Sequence, residues 1–133
     1  IKPNQFEAVG MDNPIPGDEV APDALREAAQ QLRERNQAPV LITRGEQGMI
    51  VSDPEWTLVP GVAVDGEIDP TGAGDSATAG TVLALCAGAE LPEAALVGNL
   101  VASITIEQIA TTGVARPDQL PERLAMWLQQ QQA

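Results

Sequence analysis

Asp75 closes the run Asp69-Pro70-Thr71-Gly72-Ala73-Gly74-Asp75 and stands before an apolar stretch that continues to about Gly88. Gly72, Ala73 and Gly74 carry almost no side chain, so the backbone amides behind them are open to close approach. The first turn of a helix leaves such amides without partners and carries partial positive charge, which makes it an anion site when nothing blocks the way. The chemistry that fits is stabilisation of a phosphate or of a developing oxyanion. Asp75 then has two readings. In one it is the N-cap of its own helix, and the glycines serve only a tight turn. In the other its carboxylate is aimed at the anion and takes a proton from a hydroxyl that attacks a phosphoryl group. Two familiar nucleotide loops are absent: no Gly-x-x-x-x-Gly-Lys-Ser/Thr occurs, and GAGDSATAG departs from Gly-x-Gly-x-x-Gly at Ala77.

The rest of the composition narrows the chemistry. Without histidine, Ser-His-Asp, Cys-His and His-metal arrangements are excluded, so any acid or base is a carboxylate. A formal charge of −12, with 7 Lys and Arg, repels nucleic-acid backbones and anionic lipid surfaces, so neither nucleic acid nor membrane is an expected partner. The single cysteine, Cys86, sits in TVLALCAGA and reads as a small buried thiol. No disulfide framework exists, which fits a reducing, cytoplasmic setting. Nothing resembles a signal peptide, and no apolar stretch reaches the roughly 18 residues needed to span a bilayer.

The loop needs elements to hold it. A chain of 133 residues is long enough for one core, burying roughly two-thirds of its unfolded surface. With 2% aromatics, that core must be built from Val, Leu, Ile and Ala. Asn4 with Glu7 has the spacing of a capping box before a short helix, and residues 11–20 form a loop dense in Pro, Asp and Gly. PDALREAAQQLRERNQ is an amphipathic helix with Leu25, Ala28, Ala29 and Leu32 on one face. Two short strands follow at about 39–43 and 48–52, joined by a glycine-bounded turn, and TLVPGVAV is a third. The stretch 73–88, small and apolar on every side, predicts a helix surrounded by protein. A partly buried helix starts near Pro92, and a further one near Pro117 carries Leu120, Leu124, Trp127 and Leu128 at helical spacing before QQQQ frays at 129–132. Strand and helix in alternation predict an α/β fold whose sheet is mostly parallel, with helices on both faces.

Three pieces together resemble the PfkB/ribokinase family of sugar kinases: KPNQFEA at 2–8, TRGEQG at 43–48 and DPTGAGD at 69–75. The last is similar to the family's Asp-x-x-Gly-Ala-Gly-Asp signature, the first to its Asn-x-x-Glu motif and the second to its Thr-x-Gly-x-x-Gly nucleotide loop. The resemblance implies a ribokinase-like fold, of which residues 1–133 are the C-terminal, nucleotide-binding half; the sugar-binding half and lid are expected before Ile1. It implies ATP and magnesium, potassium as a monovalent cation, a sugar or sugar phosphate as acceptor, and a homodimer for the full-length protein. By position, Asp75 is the implied base, with Gly72, Ala73 and Gly74 as the anion hole. Asn4 and Glu7 would act near magnesium through water, and Thr43, Gly45, Gly48 and Asn99 would line the nucleotide. Asp69 and Thr71, with the turn 111–115, resemble the monovalent-cation loop. Pro70 and the pair Ser76-Ala77 depart from the usual signature without removing a chemical group.

Plainer readings stand beside these. Glu7 serves only to close its capping box, Thr43 is a strand end, Arg44 a surface charge and Asn99 a packing residue. The whole chain is then a nucleotide-binding or interaction module without catalysis. Even on the kinase reading, these residues alone would hold ATP with little to phosphorylate.

Overall fold

The turn from Arg44 to Gly48 decides the sheet. In the computed structural model, which describes residues 1–133, β1 (Leu41–Thr43) and β2 (Met49–Val51) are joined by a single 3-10 turn at Gly45–Gln47. A link this short permits only an antiparallel hairpin, because a parallel crossover needs a dozen or more residues. β3 (Thr57–Val59) adds antiparallel to β2, giving the order β1-β2-β3 with Ile42 opposite Ile50 and Ile50 opposite Leu58. The expectation of a mostly parallel sheet is therefore not met by these strands. Parallel pairing is confined to the first four residues, where Asn4 bridges Thr43 and the Thr43 amide donates to Pro3 O.

Side-chain alternation along the strands separates two apolar layers. Ile42 and Ile50, with Val40, face α1 (Gln5–Ala8) and α2 (Pro22–Asn36), where they meet Leu25, Ala29 and the half-buried Phe6 and Leu32. Leu41, Met49, Val51 and Val59 face the other way, against Ala77 of α3 (Ala73–Cys86) and Ala95 of α4 (Leu91–Thr105). Helices thus cover both faces of the sheet. Arg33 of α2 reaches Asp53 at 2.9 Å and ties the helix to the β2–β3 connection. That guanidinium, with the Ser52 hydroxyl, holds the Asp53 carboxyl below the usual carboxylate range.

α3 and α4 lie unusually close. A Cβ on Gly98 would stand 2.3 Å from Thr81 Oγ1, and one on Gly80 would stand 2.9 Å from Val101 Cγ2, so glycine is required at both crossings. The opposite side of α3 is open: Val82 is 51% and Leu83 69% exposed, and Cys86 is exposed as well. This corrects the expectation of a surrounded helix and a buried thiol. An all-apolar sequence removes any objection to burial on each side, but α4 covers only one.

α5 (Leu120–Gln132) follows a 3-10 turn at Pro117–Gln119 and remains helical through the glutamines expected to fray. No helix is long and apolar enough to cross a membrane.

Candidate active site

The loop before α3 is organised by Asp69. Its Oδ1 accepts the Thr71 amide at 3.0 Å and its Oδ2 the Ala110 amide at 2.8 Å, while its own amide donates to Ile106 O at 2.7 Å. The Thr71 hydroxyl and these two amides hold the Asp69 carboxyl below its ordinary range. Gly72 takes φ +77 and is the N-cap of α3. The reading of Asp75 as the cap therefore fails: it is the third helical residue, exposed, and its carboxylate takes no part in capping. The amide of Ala73 is occupied by Pro70 O at 3.0 Å, which removes it from the expected anion hole. The amides of Gly72, Gly74 and Asp75 have no protein acceptor, and they lie where the helix dipole is most positive.

Ala73 and Gly74 also line a cavity of about 270 Å³, whereas Gly72 and Asp75 do not. Thr43, Gly45, Gly48 and Asn99 line the same cavity, so the structure brings together four predicted residues from β1, the turn after it and α4. Gly48 is held at φ +91, and a Cβ there would stand 2.2 Å from Val59 O; a Cβ on Gly61 would stand 2.3 Å from Glu46 O. The loop 45–48 and the wall beginning at Gly61 therefore touch backbone to backbone. Asn99 is buried, and both of its Nδ2 protons are used, on Val59 O and Pro60 O at 3.1 Å each. Its packing role and its place on the cavity wall coexist.

Asn4 and Glu7 do not line this cavity. Asn4 Oδ1 accepts from the amides of Phe6 and Glu7 at 2.9 Å, and Glu7 Oε2 accepts the Asn4 amide at 2.8 Å, which is the full capping box. Glu7 Oε1 and the Asn4 Nδ2 donor are left for other work. Arg44, read as a surface charge, is 9% exposed, and its Nε has no partner. It lines a surface pocket together with Gln5, Phe6 and residues 14–19. Neighbours missed in the sequence are Trp127 and Gln130, which bond to the cavity wall at Pro60 and Ala63. Trp127 showed only helical spacing, and Gln130 is one of four identical residues.

Comparison with known proteins gives a consistent picture. The sequence matches the pfkB family carbohydrate kinases over residues 1–118. It is 46% identical over 72 residues to inositol 3-kinase of Arabidopsis thaliana, covering 53% of this chain and 20% of that protein. A ribokinase from Thermotoga maritima superposes with a TM-score of 0.77 at 21% identity, over 93% of this chain and 41% of that one. Phosphofructokinase-2 of Escherichia coli, solved with potassium, gives 0.76 at 27%, over 93% and 39%. The chain spans about a fifth of the curated relatives it matches and about two-fifths of the solved kinases. With the signature loop, the cavity and the fold in agreement, the chain belongs to the pfkB family of carbohydrate kinases.

Proposed function

We propose that this chain is the nucleotide-binding half of an enzyme that transfers the γ-phosphoryl group of ATP to a hydroxyl of a sugar or sugar phosphate. The observation that carries the proposal is the start of α3. Three amides without protein partners, at Gly72, Gly74 and Asp75, stand in the same first turn as the exposed Asp75 carboxylate, and Gly74 of that turn lines the 270 Å³ cavity. In that arrangement the nucleoside occupies the cavity between Gly45, Gly48 and Asn99, and its phosphates extend toward Gly74. The acceptor oxygen forms its bond to the γ-phosphorus as the bridge to the β-phosphate breaks. The acceptor's proton passes to Asp75, and charge on the transferring group is met by the free amides.

The family implies magnesium. Glu7 Oε1 is the one free oxygen of the Asn4–Glu7 pair, and no cluster of three carboxylate, His or Cys ligands exists, which suits an ion held chiefly by phosphates and water. Such an ion supplies charge neutralisation on the phosphate oxygens. Potassium, present in the E. coli phosphofructokinase-2 structure, would belong near Asp69, whose carboxylate is the anionic group between the loop 69–72 and the turn 110–113. The setting proposed for the activity is cytoplasmic.

The test is a titration followed by an assay. ATP at one hundred times its dissociation constant should stabilise the protein by about 2.7 kcal/mol, and the full-length protein, with the sugar-binding half expected before Ile1, should release ADP with one member of a panel of sugars and sugar phosphates. ATP binding without phosphotransfer to any of them points to a non-catalytic module; no binding removes the proposal.

A further inference from the structure

Residues Pro60 to Ile68 belong to no helix or strand and take part in no backbone–backbone hydrogen bond. Yet Gly61, Val62, Ala63 and Val64 form a wall of the cavity. Side chains from elsewhere must fix that wall. Asn99 of α4 supplies one tie, and α5 supplies the others. Trp127 Nε1 donates to Pro60 O at 2.9 Å, so that this oxygen, which also accepts from Asn99, has both lone pairs used. Gln130 Oε1 accepts the Ala63 amide at 3.0 Å, and its Nε2 donates to Ala63 O at 2.8 Å. One glutamine thereby makes the pair of bonds that a neighbouring strand would have made.

We propose that α5 is a clasp for the cavity wall, with Trp127 and Gln130 as positioning residues that set affinity for the nucleotide. The clasp rests on the reading of the cavity as a nucleotide site. It lies beyond residue 118, where the match to the family ends. The near end of α5 is anchored, since Arg123 bonds to Ser103 O at 3.2 Å and to Glu107 at 2.6 Å. The far end has no buried residue of its own, so its hold on the wall is made by hydrogen bonds rather than by core packing. Loosening it leaves the two apolar layers intact. Coupling between two sites is reciprocal, so a nucleotide that rests on the wall must in turn steady the last turns of α5.

Trp127→Phe removes the indole donor and keeps a ring; Gln130→Met removes both amide bonds at nearly constant length. ATP titration of the protein carrying both changes should show affinity lower by about tenfold, while its melting temperature without ATP falls by no more than a few degrees. Hydrogen exchange should show residues 127–132 of the unaltered protein gaining protection when ATP is added. Unchanged affinity in the double variant, or no added protection in α5, overturns the clasp. Failure of the unaltered protein to bind ATP is seen before either variant is made, and it overturns the nucleotide reading together with the clasp.

Discussion

The Asp69 carboxylate accepts the amide of Ala110, 41 residues further along the chain, at 2.8 Å. With its other oxygen on the Thr71 amide, one side chain fastens the signature loop to the turn after α4. A Cβ on Gly72 would stand 3.4 Å from Thr112 Cγ2, so the two segments also touch. Together with the Asp69 amide on Ile106 O, this clip ties the loop that leads into the free amides of α3 to the segment after α4.

The clip should weaken in acid. Folding lowers the Asp69 pKa, through the Thr71 hydroxyl and the two amides, so the unfolded chain takes up this proton first. The contribution is complete above the ordinary value of about 3.9 and is lost as pH falls through the lowered folded value. Hydrogen exchange at the Ala110 amide, corrected for its intrinsic pH dependence, should accelerate below about pH 4. Asp69→Asn should show that acceleration at neutral pH.

In the full-length enzyme, Asp75→Asn should lower turnover by about 10²- to 10⁴-fold, the usual worth of a positioned general base. Affinity for ATP should change little, because the amides remain. Steady-state kinetics with an ATP titration check both halves; full turnover in the variant removes Asp75 as the base.

Two glycines should separate folding from function. Gly48→Ala puts a Cβ 2.2 Å from Val59 O at φ +91, and should cost about 2 kcal/mol or more in denaturant unfolding. At Gly74 a Cβ meets no atom within 4 Å. Gly74→Ala should therefore leave the melting temperature unchanged or raise it, while hindering approach to the free amides and lowering phosphotransfer. Equal losses of stability in the two variants would contradict the backbone contact at Gly48.

Cys86 is exposed on the open side of α3. In the native protein it should react stoichiometrically with a thiol reagent at a rate close to that in denaturant. Strong protection would show that this side of the helix is covered in solution.

Local rules made the amphipathic α2, the capping box at Asn4 and the two strands about a glycine-bounded turn legible from residue order, although the expectation of a mostly parallel sheet missed that this turn reverses the chain. Each depends on contacts within a few positions: helical spacing of Leu25 and Ala29, a side chain reaching an amide three residues on, and a turn too short for anything but reversal. The signature around Gly72 and Asp75 was legible for the same reason, as small residues ahead of a helix leave amides open. Tertiary structure decided the rest. Only folding could show that Pro70 O takes the Ala73 amide, that Arg44 is buried, or that α4 covers one side of α3. Only folding could turn a run of identical glutamines into one residue paired with Ala63 across 67 positions. A polar side chain's partner is set by which distant backbone groups the fold leaves unpaired, and that information is not local to any stretch of sequence.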